Sequence, residues 1–139
     1  MMRYEIVEHT ADVGLRAFGR DLKELFAHAA VGLFDLMVAD LGTVRPEQAV
    51  SLTVEAENIE ELLADWLREL LYLCNAERWL FSKFEVLDIV PEWLEAKCWG
   101  ETYDPSRHAW ETEVKAVTYH RLCVEHVEEG WRAQVIFDI

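Results

Sequence analysis

Apolar residues recur at helical spacing in two long segments. From Asp21 to Ala39, the residues Leu22, Leu25, Phe26, Ala29, Ala30, Leu33, Phe34 and Met37 share a stripe, and Asp21 stands where an N-cap belongs. A second helix is predicted from Asn58, with Glu60 and Glu61 in the first turn, where the helix dipole favours negative charge. Its stripe runs through Leu62, Leu63, Trp66, Leu67, Leu70, Leu71, Leu73 and Cys74.

Elsewhere the pattern alternates. Arg3 to Val7 and Gly14 to Phe18 read as short strands, with His9-Thr10-Ala11-Asp12 in the turn or loop between them. After Pro46, Val50, Leu52 and Val54 alternate with Ser51, Thr53 and Glu55 as in a half-buried strand. Four more strands are predicted over Trp79 to Ile89, Trp93 to Trp99, Glu113 to Val127 and Trp131 to Phe137, and the third changes phase, which predicts a bulge near Thr118 to His120. This order predicts one α+β domain over residues 1–139, with a largely antiparallel sheet packed against two main helices.

Composition supports a packed globule: 52% of residues are hydrophobic, with six Trp and only three Pro. The 13 Lys and Arg against 27 Asp and Glu give a net charge of -14, which repels phosphate backbones and argues against autonomous nucleic-acid binding. The same charge favours a basic protein partner or a divalent cation. No signal-like start and no apolar run of membrane-spanning length is apparent, so a cytoplasmic protein with no membrane association is expected. Cys74, Cys98 and Cys123 lack a CxxC spacing and read as buried or half-buried free thiols. No GxxxxGK[ST], GxGxxG or GxSxG motif occurs, and the five histidines form no compact ligand spacing.

The residues left to carry chemistry are few. Asp12 lies near the start, while Asp138 follows the apolar Val135-Ile136-Phe137 and stands beside Ile139 and its α-carboxylate. A carboxylate in such a strand needs a partner if buried, and an exposed one needs none, so both readings remain open. Lys115 sits inside a strand candidate, where a lysine commonly faces solvent.

Taken in order, Glu8-His9-Thr10-Ala11-Asp12-Val13-Gly14, Leu33-Phe34-Asp35-Leu36-Met37, Asp104-Pro105 with His108, Lys115-Ala116-Val117-Thr118-Tyr119-His120 and Phe137-Asp138-Ile139 resemble the archease family over essentially the whole chain. The resemblance implies a protein cofactor of an RtcB-type RNA ligase in tRNA splicing, not itself an enzyme, which promotes ligase guanylylation and multiple turnover and broadens nucleoside triphosphate use. It further implies a metal site, commonly calcium, on Asp12, Asp138 and Ile139, and a functional lysine at Lys115. Hard cations such as Ca²⁺ prefer oxygen donors, which agrees with that set. Two other classes stand beside this expectation: a metal-dependent hydrolase using Asp12 and Asp138, and an acidic chaperone or adaptor working without a metal.

Overall fold

In the computed structural model, which describes residues 2–8 and 10–139, two antiparallel sheets hold a helix between them. The elements are β1 (Tyr4–Glu8), β2 (Asp12–Gly19), α1 (Leu22–Met37), β3 (Gln48–Glu55), α2 (Ile59–Glu77), β4 (Trp79–Val90), β5 (Trp93–Thr102), β6 (Ala116–Val127) and β7 (Gly130–Asp138). One sheet has the order β1-β2-β7-β6 and the other β3-β5-β4. His9, read from sequence as part of the first turn, lies outside the described residues.

Both helices start where their caps predict. The Asp21 carboxylate accepts the Glu24 N–H at 2.8 Å, and the Asn58 side chain accepts the Glu61 N–H at 2.9 Å. α2 buries one stripe, as an amphipathic helix should. α1 is different: from Ala29 to Phe34 every residue is buried, including Val31 and Gly32. A helix apolar around its circumference must be covered on more than one side, and α1 packs on both β2 and β4. That requirement corrects the expectation of one sheet to two within the same α+β class.

The core is continuous across the sheets. Phe34 of α1 meets Phe81 of β4 edge-on at 5.6 Å, and Phe84 meets Trp66 of α2 in a similar arrangement at 6.3 Å. The Trp66 indole N–H donates to the Phe26 carbonyl at 3.0 Å, so this large buried ring leaves no donor unmet. Gly130 closes the β6–β7 hairpin at φ 139°, and a Cβ there would lie 2.3 Å from the Gly19 carbonyl oxygen.

Three local expectations change. Asp12 is the first residue of β2 and not a turn residue, because the end of β7 supplies its ladder partner. The strand predicted from Glu113 begins at Ala116, leaving Lys115 just outside it. The predicted bulge is present where it was expected but is longer, running from Thr118 to Cys123, with Arg121 in the left-handed region at φ 54°.

Candidate functional site at the ends of β2, β7 and β6

The register of the four-stranded sheet brings opposite ends of the chain together. Val13, Leu15 and Ala17 of β2 face Phe137, Val135 and Ala133 of β7, and all six are buried. Continuing this pairing outward by one residue sets Asp12 opposite Asp138. Directly opposed residues on neighbouring strands project to the same face, here the face away from that buried row. Asp12 is half-buried, and Asp138 and Ile139 are exposed.

Two carboxylates placed this way repel one another, and among the described residues neither forms a salt bridge. Asp138 is also where Lys115 arrives: the Lys115 N–H donates to the Asp138 carbonyl at 2.8 Å, and Ala116 pairs with Asp138 in the ladder. Asp12, Asp138, Ile139 and Lys115 are therefore held at one sheet end. Among the described residues no group of three or more His, Cys, Asp or Glu side chains is gathered as a ligand cluster. What the sheet end offers is two opposed side-chain carboxylates with Ile139 one residue away. This all-oxygen, anionic set fits part of the shell of a hard divalent cation and suits thiophilic metals poorly.

Two grooves flank the segment that delivers Lys115. One, of about 620 Å³, is lined by Met37, Asn75, Arg78, Trp110, Thr112, Glu113, Val114 and Lys115. The other is acidic, lined by Ile6, Glu8, Asp35, Leu36, Glu111 and Thr112. Asp35 is fixed there by the Tyr4 hydroxyl, which donates to it at 2.6 Å; burial, and then this bond, push the Tyr4 pKa up to about 12. The sequence reading quoted Asp35 within its helix segment without giving it a place in the site.

The sequence reading also quoted His108 without the buried polar cluster to which it belongs. Glu101 and His108 are 7% and 4% exposed. The Glu101 carboxylate accepts from the Arg45 N–H at 2.9 Å, from His108 Nε2 at 2.9 Å and from the Arg107 guanidinium. Burial pushes its pKa up, but the Arg45 N–H, His108 and Arg107 outweigh burial and hold it below the ordinary glutamate value. The sequence carries no signal for this cluster: Leu94, Ala96, Cys98 and Gly100 alternate inward, Glu101 follows in the outward phase, and only the fold buries it. The thiols of Cys74 and Cys98 are both pushed up to about 12 by burial, so neither is a ready nucleophile.

Fold and site together define a small two-sheet α+β protein whose candidate chemistry rests on carboxylates and a lysine at strand ends. The chain belongs to the archease family: the model of the archease protein family (MTH1598/TM1083) matches residues 4–139. It is 43% identical over 141 residues to the protein archease of Methanosarcina acetivorans, spanning 99% of this chain and 96% of that one. It is 40% identical to that of Sulfurisphaera tokodaii over the full length of both. Among solved structures it resembles Methanobacterium thermoautotrophicum protein 1598, with a TM-score of 0.86 and 35% identity across the whole of each chain. A Thermotoga maritima archease, described as a possible chaperone, shares the fold at a TM-score of 0.63 and 21% identity, covering 100% of this chain and 98% of that one.

Proposed function

We propose that this chain is a protein cofactor that activates an RtcB-type RNA ligase in tRNA splicing or RNA repair. In this reading it promotes guanylylation of the ligase, permits multiple turnover and broadens the nucleoside triphosphates accepted, and is not itself the catalyst. The observation that supports it best is the register that opposes Asp12 to Asp138 and ties Lys115 to the same residue, in a chain of the archease family.

Asp12, Asp138 and Ile139 would hold a divalent cation, Ca²⁺ being the first to try, since oxygen donors such as these carboxylates are its preferred ligands. Such a cation supplies concentrated positive charge and coordination positions for oxygen ligands. The residues themselves divide the work. The opposed carboxylates bind and orient at the sheet end, and Lys115 presents an ammonium that can pair with a phosphate oxygen of a nucleotide held by the ligase. With a net charge of -14, the protein finds its complement in a basic face of the ligase and is repelled by bare RNA. No helix among the described residues is long and apolar enough to cross a membrane.

The test is multiple-turnover ligation by the cognate ligase with and without this protein, beside Asp12→Ala and Lys115→Ala. Acceleration by the parent protein that both variants lose supports the reading. No acceleration by folded parent protein sinks it. Nucleotide hydrolysis by the isolated protein, abolished by Asp12→Ala, would favour the hydrolase alternative.

A further inference from the structure

We infer that the buried cluster of Glu101, Arg107 and His108 is the positioning device of the candidate site. It fixes the strap of residues 103–115 so that the backbone of Lys115 meets Asp138. The inference rests on the reading of Lys115 as the functional cation of ligase activation.

The strap crosses from one sheet to the other without a ladder of its own. β5 ends at Thr102 and β6 starts at Ala116. Between them the backbone is held at few points: Tyr103 N–H to Arg78 carbonyl at 2.7 Å, the single antiparallel bridge of Val38 and Trp110, where Ala39 N–H meets the Ala109 carbonyl at 2.9 Å and Glu111 N–H the Met37 carbonyl at 2.8 Å, and Lys115 N–H to Asp138 carbonyl at 2.8 Å. Isolated hydrogen bonds of this kind open locally with little cooperative resistance. Next to Lys115 the strap is held by Val114, which is buried and whose carbonyl accepts from Asn75 Nδ2 at 3.3 Å; its first half needs an anchor of its own, and the placement of Lys115 depends on both.

That anchor is polar and interior. His108 Nδ1 accepts the Asp104 N–H at 2.9 Å, which puts the ring proton on Nε2, and Nε2 donates to Glu101 at 2.9 Å. One imidazole thus ties the turn at Asp104 to the end of β5. A proton on Nδ1 would set two N–H groups against each other at Asp104, so only one tautomer fits. Arg107 donates to the same Glu101 carboxylate, and its Nε is buried with no partner among the described residues. An apolar trio of similar volume would fill this space without desolvating charge. Directional bonds accomplish what such a filling cannot: they fix the orientation of the strap as well as its proximity.

The experiment uses two half-variants of the full chain, each keeping one arm of the imidazole. His108→Asn retains a short acceptor for the Asp104 N–H, and His108→Gln retains a donor toward Glu101. Amide exchange followed by NMR is expected to rise about tenfold or more at Ala39, Glu111 and Lys115 together, the effect of losing roughly one hydrogen bond, while α1 and β7 stay protected. In the parent protein, long-range ¹H–¹⁵N correlation of the His108 ring should show Nε2 protonated and Nδ1 bare. In ligation assays the half-variants should lower the maximal acceleration about tenfold while leaving the half-saturating concentration within about threefold, a split that mere loss of folded protein would not give. Unchanged exchange at Lys115 in both half-variants overturns the inference, as does an Nδ1-protonated ring. Full acceleration by the half-variants, where Lys115→Ala has lost it, overturns the link to function while the ligase reading stands. If Lys115→Ala itself activates normally, the role given to Lys115 fails and takes the functional link with it; the exchange arm then decides separately whether the cluster holds the strap.

Discussion

Asp12 and Asp138 carry the same charge at directly opposed positions, an arrangement that costs about 0.2–1 kcal/mol in a sheet unless a cation lies between them. Asp12→Asn should accordingly leave the cation-free protein as stable as its parent or slightly more so. Added Ca²⁺ should then raise the melting temperature of the parent, with about 2.7 kcal/mol of stabilisation at a hundredfold excess over Kd, and raise that of the variant much less. Differential scanning calorimetry with and without Ca²⁺ decides this, and an equal rise in both proteins would remove Asp12 from the proposed cation site. Glu101 gives the opposite sign of effect. Its carboxylate is held below the ordinary value, so its contribution is fully present above the unfolded pKa of about 4.3 and is lost as pH falls through the lower folded value. Glu101→Gln should cost about 3 kcal/mol at pH 7, and the gap to the parent should narrow only below about pH 4.5. Denaturant titrations across that range measure it, and a gap independent of pH would show that the charge on Glu101 is immaterial.

At the scale of elements, what could be read from the sequence was local. Asp21 and Asn58 announce their helices because an N-cap and the stripe it starts lie within a few residues of each other. The partner of Asp12 could not be read that way, because its place in β2 is decided by β7 at the other end of the chain. The split into two sheets was hidden for a related reason: a strand's alternation says which residues point inward, not which strand lies beside it. Pattern and spacing left Asp12, Asp138 and Lys115 as separate residues; the family resemblance set Asp12 and Asp138 in one site, and the register of β2, β7 and β6 brings them together. The Glu101 cluster was harder still, since its members are polar residues of ordinary spacing until the fold buries them. The hairpin at Gly130 offers a clean element-scale test. Gly130→Ala combines a positive φ with a Cβ only 2.3 Å from a backbone oxygen, and should destabilise the protein by at least about 2 kcal/mol. Urea unfolding of the variant checks this; a loss below about 0.5 kcal/mol, the range of ordinary surface changes, would mean that the turn relaxes freely.

For the molecule as a whole, α1 shares its buried surface with both sheets, so neither sheet has a core that survives without the other. The surface surrounding that single core carries a net charge of -14, and the two facts have separable consequences. On the proposed reading, a shared core predicts that the ligase docks on a preformed body. The charge then acts mainly on encounter, steering a basic partner and repelling RNA, rather than on the docked state. Raising the salt from 50 to 300 mM should therefore increase the half-saturating concentration for ligase acceleration by roughly threefold to tenfold, with the maximal acceleration little changed. Over the same range the isolated protein should not retard a short single-stranded RNA in a native gel, even at the lowest salt, where electrostatic attraction to RNA would be strongest. Retardation at 50 mM salt would expose a local cationic surface that outweighs the net charge, with Arg78 and Lys115 in the same groove the first place to look. Saturation indifferent to salt would instead mark the ligase contact as predominantly apolar, and would transfer the burden of recognition from the acidic surface to exposed side chains such as Trp110 and Ile139.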